Sequence, residues 1–309
     1  MTRTRATAFG FIAILLWSLL ALFTVGSAPV PPLLLNALTF AVGGALGLVW
    51  VARSGGFGQL RLVSWKVYAF GTAGLFGYHL LYFSALRMAP AAEAGLIAYL
   101  WPLLIVLFSG LLPGERLSGL HILGATVAFA GAALIVGGRL IDGGVTLTGA
   151  ALAGYGLAFL CALTWATYSV LSRRLGEVPT ASVAVFCLAT AVLSAVAHVF
   201  TEATVWPQSG VGWLSVLALG LGPVGLAFYV WDMGVKKGDI QVLGTASYAA
   251  PLLSTLALVL AGQARADLRL LLAAGLVAGG AALAAWASAR AKPFKSGPIR
   301  PATGGRSLP

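Results

Sequence analysis

The chain has 309 residues, 60% of them hydrophobic and only 9% charged, with a mean hydropathy of +0.96 and 40 glycines. Soluble domains carry roughly a quarter charged residues, so this composition excludes them and indicates a polytopic membrane protein. The net charge of +11 is scattered over short segments; no basic stretch is long enough to form a nucleic-acid-binding domain, which argues against that partner.

Apolar windows between charged or Pro/Gly breaks predict an all-α protein of ten transmembrane helices, at about 7–25, 33–52, 65–86, 92–112, 119–137, 149–171, 181–200, 212–235, 240–262 and 268–289. The first contains ILLWS with Trp17. Its basic N-terminal flank resembles a secretory signal, but the apolar run is too long for one. The second carries Gly43 and Gly47. The third carries Gly71, Gly74 and Gly77, and the sequence GYHLLYFS, in which Tyr78 and Tyr82 are four residues apart and share a helix face beside His79.

The fourth predicted helix contains Tyr99-Leu100-Trp101-Pro102 near its centre. A proline there forfeits a backbone hydrogen bond, which lipid cannot replace. Pro102 is therefore a candidate hinge, with Tyr99 and Trp101 just before the break. The sixth helix carries Trp165 and Cys161, the seventh Cys187. Two cysteines inside spans support neither a disulfide framework nor a cysteine zinc site. The eighth carries Gly220, Gly222 and Gly225, then Asp232 in YVWDMG, four residues before Lys236 and therefore able to pair with it on one helix face. The ninth contains SYAAPLL with Pro251, a second candidate hinge, and the tenth Gly275 and Gly279. Small residues let helices approach in lipid, where no hydrophobic drive pulls them together, so these glycines are expected at packing faces.

Basic residues fix an expected orientation. With the N-terminus inside, fifteen of the nineteen Lys and Arg fall on the cytoplasmic side, leaving Arg87, Arg139, Arg265 and Arg269 outside. Both termini are then cytoplasmic. The tail 291–309, rich in Pro, Gly and basic residues, is expected to be disordered.

The sequence also repeats. A shift of 149 residues lays Tyr99, Pro102, Leu103 and Leu104 on Tyr248, Pro251, Leu252 and Leu253, and Gly95 on Gly244; a shift of 148 lays Trp17 on Trp165. Two repeats, 1–145 and 146–290, would each hold five helices. An odd number makes the second enter the membrane from the other side, giving a 5+5 inverted repeat, the architecture that places transporter substrates near the midplane.

Chemistry-bearing motifs are sparse. Neither GxSxG nor HExxH is present, and Asp232 with Asp239 does not make an intramembrane protease pair, because Lys236 occupies the glycine position of GxGD. The interior instead offers polar-tipped aromatics. Tyr78, His79, Tyr82, Tyr99, Trp101 and Trp165 away from the interfacial belts require a wet or protein-lined cavity, and a titratable residue such as His79 inside a membrane marks a functional site.

The paired halves, the LLWS near the start, and Pro102 followed by LPGERLSGLHILG resemble the drug/metabolite transporter superfamily with its EamA-type repeats, over about residues 6–290. Within it, ATAFGFIAILLWS, EAGLIAYLWPLLIVLF and SYAAPLLS are similar to the bacterial aromatic amino-acid exporters. That resemblance implies an inner-membrane exporter of aromatic and other neutral amino acids, without a cofactor, acting as a monomer by alternating access through a cavity between the halves. Broad metabolite or drug export is the alternative within the superfamily. The second half has Ala249 and Ala250 where the first has Leu100 and Trp101, so the cavity should be lined unequally.

Overall fold

The computed structural model describes residues 1–54, 56–89, 91–137, 148–260 and 268–290. The expected tail 291–309, and Arg139 and Arg265, lie outside the described residues. Those residues are helical with no strand. In chain order the helices are α1 (Arg3–Ser18), α2 (Leu20–Gly26), α3 (Pro32–Ser54), α4 (Phe57–Arg61), α5 (Trp65–Met88), α6 (Ala91–Ala98), α7 (Trp101–Ser109) and α8 (Gly119–Gly137). They continue with α9 (Gly149–Arg174), α10 (Ser182–Thr201), α11 (Gly210–Leu221), a π-helical segment (Gly222–Leu226), α12 (Ala227–Lys237), α13 (Ile240–Ala246), α14 (Ala249–Leu260) and α15 (Leu268–Arg290).

Polar caps between the apolar runs set several helix starts. Ser64, Thr148, Ser209 and Asp239 each accept a hydrogen bond from a backbone N–H in the first turn of α5, α9, α11 and α13. Six stretches are long and apolar enough to cross a bilayer: Arg3–Thr24, Pro32–Ser54, Gly149–Arg174, Ser182–Thr201, Gly210–Lys237 and Leu271–Arg290. The protein is thus a multi-pass membrane protein.

Helices fall where the apolar windows predict, but four of the windows are interrupted. The first is divided at Leu19, the fourth at Tyr99-Leu100, the eighth by the π-helical turn, and the ninth at Ser247-Tyr248. Hydropathy does not register these breaks, because the residues on both sides are equally apolar. The π turn follows from Gly222-Pro223: the proline has no N–H to donate, and glycine tolerates the displaced backbone.

The main pairings are α8 with α15, α3 with α10, α5 with α9, and α1 with α12, while α7 meets α13. Glycines make the closest approaches. A Cβ on Gly43 would lie 2.8 Å from the Cα of Gly225, and one on Gly124 would lie 2.6 Å from the carbonyl oxygen of Gly280. Gly47, Gly71, Gly74 and Gly220 also face neighbouring side chains as expected. Gly275 and Gly279 do not; nothing lies within 4 Å of either added Cβ, and on α15 it is Gly280 that packs. A one-residue difference on a helix turns the small face by about 100°, which glycine content alone cannot locate.

Candidate functional site

The site is built around the interruption between α6 and α7. Backbone N–H groups of Tyr99 and Leu100 donate to Gly95 and Ile97, a tightening last turn, and α7 then begins at Trp101. Pro102 lies in the first turn of α7, where a missing N–H costs nothing because no intrahelical acceptor would serve it. The break therefore precedes the proline, rather than occurring in a continuous helix around it. Pro251 is placed likewise in the first turn of α14, after the break at Ser247-Tyr248.

The two broken helices are stitched together at these breaks. The N–H of Leu103, in the first turn of α7, donates to the hydroxyl oxygen of Tyr248 at 3.1 Å. Gly244 on α13 faces Ile105, Val106 and the carbonyl of Pro102 on α7.

Against this break stands a cage of four tryptophans. Trp17 on α1 meets Trp101 on α7, Trp165 on α9 and Trp231 on α12 at centroid distances of 6.2, 5.8 and 5.0 Å. Trp101 also lies 6.3 Å from Trp165 and 5.9 Å from Trp231, nearly perpendicular to both. Edge-to-face contacts of this kind contribute about 0.5–1.5 kcal/mol each beyond area burial. Phe228 touches Trp17 and Trp165 and stacks on Phe40, whose ring meets His79 at 5.0 Å. Tyr78 joins Trp165 at 5.3 Å, His79 at 5.2 Å and Tyr82 in a parallel stack at 6.1 Å.

Of the sequence-predicted residues, Tyr78, His79, Tyr82, Trp101 and Trp165 thus belong to one connected aromatic network. Tyr99 stands at the break beside it, within electrostatic reach of Tyr78 and Tyr82, and makes no ring contact among the described residues. Tyr78 and Tyr82 point away from the lipid-side residues of α5, since exposed Leu80 lies about 200° around the helix from Tyr78. They nevertheless keep accessible surface, as do His79 and Tyr99.

Trp231 and Phe228 were not among the sequence candidates. The signal was their i, i+3 spacing on α12 in FYVWDMG, overshadowed there by the adjacent carboxylate. Asp232 turns from the cage to Lys236 at 2.9 Å, as its spacing predicts, and accepts from Thr180 at 2.7 Å. Trp17, the repeat counterpart of Trp165, is the centre of the cage.

One end of the bundle is closed by charge. Glu115, in the loop after α7, is almost fully buried; it pairs with Arg173 of α9 and, at 3.3 Å, with Arg3 of α1. Arg3 also reaches Asp239 at 3.0 Å, and Arg173 donates to the carbonyls of Val235 and Gly238. The network ties α1, α9 and the loops after α7 and α12 together below the cage. The opposite end holds a different latch, in which Glu202 accepts from the N–H groups of Leu33 and Leu34 at the start of α3 and from His198 of α10.

Several apolar helices long enough to cross a bilayer, packed around one aromatic network with an ion-paired end, suit a membrane transporter. A model of the EamA-like transporter family matches residues 4–137 and again 152–286, and the chain belongs to that family, with two copies of its repeat. It is similar to the aromatic amino acid exporter YddG of Ancylobacter novellus, 55% identical over 285 residues that cover 92% of this chain and 98% of the relative. The exporter of the same name from Salmonella typhimurium is 28% identical over 82% of this chain and 88% of its own length. A solved crystal structure 53% identical in sequence superposes with a TM-score of 0.88, covering 94% of this chain and all of the other.

Proposed function

We propose that this protein exports amino acids, aromatic and other neutral ones, across the bacterial inner membrane by alternating access, with the tryptophan cage and the faces of Tyr78, His79, Tyr82 and Tyr99 as the substrate site. The observation that carries this is the single aromatic network reaching from α5 through α9 to α7 and α12, which offers stacking to a ring substrate. The printed function of the 55% identical relative supports the substrate class. The protein works as a monomer, with no cofactor and no covalent chemistry.

Ten spans in two inverted halves, 1–145 and 146–290, underlie the cycle. The helix pairing supports this reading. Exchanging the halves converts α5–α9 into α12–α1, while α8–α15 and α3–α10 map onto themselves, as a pseudo-twofold relation requires. Both termini lie in the cytoplasm, on the side of the Arg3–Glu115–Arg173 network, so the state described is closed toward the cytoplasm.

The membrane interior around the cage supplies no free carboxylate among the described residues, since Asp232 is committed to Lys236. Flux is accordingly downhill along the substrate gradient. Proteoliposomes of purified protein loaded with labelled phenylalanine are expected to release it without a proton gradient; release that needs such a gradient would overturn uniport. Topology has its own test in a cysteine-free background. Exposed Ser54→Cys should be shielded from impermeant reagents in intact cells and exposed Ser209→Cys labelled.

A further inference from the structure

Two of the four caged tryptophans are anchored and two are not. Trp17 donates its indole N–H to the carbonyl of Pro223 at 3.0 Å, and Trp231 donates to the hydroxyl of Ser169 at 3.1 Å. Trp101 and Trp165 are buried, with 6% and 3% of their surface accessible, yet neither N–H has a protein acceptor among the described residues. Neither nitrogen belongs to the fully enclosed unsatisfied atoms either, which are Tyr155 Oη, Ser182 Oγ and Thr190 Oγ1. Each therefore keeps a small accessible surface. Buried indoles ordinarily find an acceptor, so two unpartnered donors on rings whose centroids lie 6.3 Å apart are a pair of vacant valences suited to an anion.

His79 supplies the opposite polarity. Its Nδ1 lies 2.7 Å from the carbonyl oxygen of Leu75. A carbonyl only accepts, so Nδ1 carries the proton and the neutral ring presents the lone pair of Nε2. That nitrogen has no protein donor among the described residues and likewise keeps some accessible surface. The ring is held edge-on to Phe40 and beside Tyr78, and Tyr78 bridges it to Trp165.

We infer that the site reads both ends of a zwitterion with uncharged groups: the indole N–H groups of Trp101 and Trp165 receive the substrate carboxylate, and Nε2 of His79 receives its ammonium. The inference rests on the proposed export of amino acids and deepens it, because it assigns the recognition of the α-carbon groups rather than of the side chain. No charged protein group is spent on either end, so the bound substrate carries no net charge across the cage. A ligand with only one of the two charges leaves one set of valences open.

The test uses purified protein in proteoliposomes with three probes: L-phenylalanine, 3-phenylpropionate, which lacks the ammonium, and phenethylamine, which lacks the carboxylate. Wild type should favour phenylalanine over both by about tenfold or more in kcat/KM, the worth of one hydrogen bond to a charged group. His79→Leu should lose about tenfold on phenylalanine and on phenethylamine while leaving phenylpropionate unchanged. His79→Gln, whose amide oxygen reaches the place of Nε2, should recover most of that loss. Trp101→Phe and Trp165→Phe keep a ring and remove the N–H; they should weaken phenylalanine and phenylpropionate and spare phenethylamine. Losses equal across all three probes, or failure of His79→Gln to recover phenylalanine, would overturn the assignment. Absence of phenylalanine flux in wild type would instead refute the export reading itself.

Discussion

In the first broken helix the chain continues from Tyr99 into Leu100 and Trp101; in the second it continues from Tyr248 into Ala249 and Ala250. The repeat superposes the two tyrosines, but Tyr99 keeps accessible surface beside the cage while Tyr248 has none and accepts the hydrogen bond of Leu103. One broken helix therefore presents side chains to the aromatic network, and the other braces it. After the second break come only small alanines, whereas α13 before it settles against α7, with Gly244 resting on its first turns. Symmetry of fold does not carry over into symmetry of lining.

The largest effect expected from this contrast concerns Trp101. It contacts three of the cage rings, so Trp101→Ala removes several aromatic contacts and should raise KM for phenylalanine by at least about tenfold. Ala250→Leu, at its counterpart in the second half, should leave KM within about twofold. Equal KM changes in transport assays would mean that the halves share the lining after all.

The tyrosines give the next contrast, on two different observables. Tyr248→Phe strands the Leu103 N–H in a buried site and should cost about 1–3 kcal/mol of stability, read by thermal unfolding in detergent. Tyr99→Phe should leave stability within about 0.5 kcal/mol and weaken transport instead. A stable Tyr248→Phe protein would remove the bracing role.

How much of this was legible beforehand follows the physics of each feature. Helix positions were, since a run of twenty apolar residues has few alternatives in lipid. That Tyr78, His79, Tyr82, Trp101 and Trp165 would gather was also legible, because polar-tipped aromatics inside apolar helices need protein partners, and they meet in one network. The use of Tyr248 was not, since it depends on an acceptor meeting an N–H 145 residues away. Phe228 and Trp231 were hidden by the neighbouring Asp232. The burial of Glu115 between Arg3 and Arg173 was not legible either, since the contact is fixed only by how the helix ends converge.

The smallest effect expected is that of the two prolines, and it separates shape from motion. Both lie in the first turn of a helix, where alanine is nearly as well accommodated, so Pro102→Ala and Pro251→Ala should fold with stabilities within about 1 kcal/mol of wild type. What alanine adds is an N–H able to donate across the break, to Ala98 in one helix and Ser247 in the other. That hydrogen bond would favour continuing α6 into α7, or α13 into α14, and oppose bending there. Because the halves are proposed to be inverted, stiffening one break should bias the cavity toward one side of the membrane and stiffening the other toward the opposite side. We expect transport to slow a few-fold in each variant, with accessibility of cysteine reporters at the two cavity mouths shifted in opposite directions. If both variants move substrate at the wild-type rate with unchanged accessibility, the breaks are static, the prolines merely end one helix and begin the next, and the moving parts lie in the ion-paired end instead.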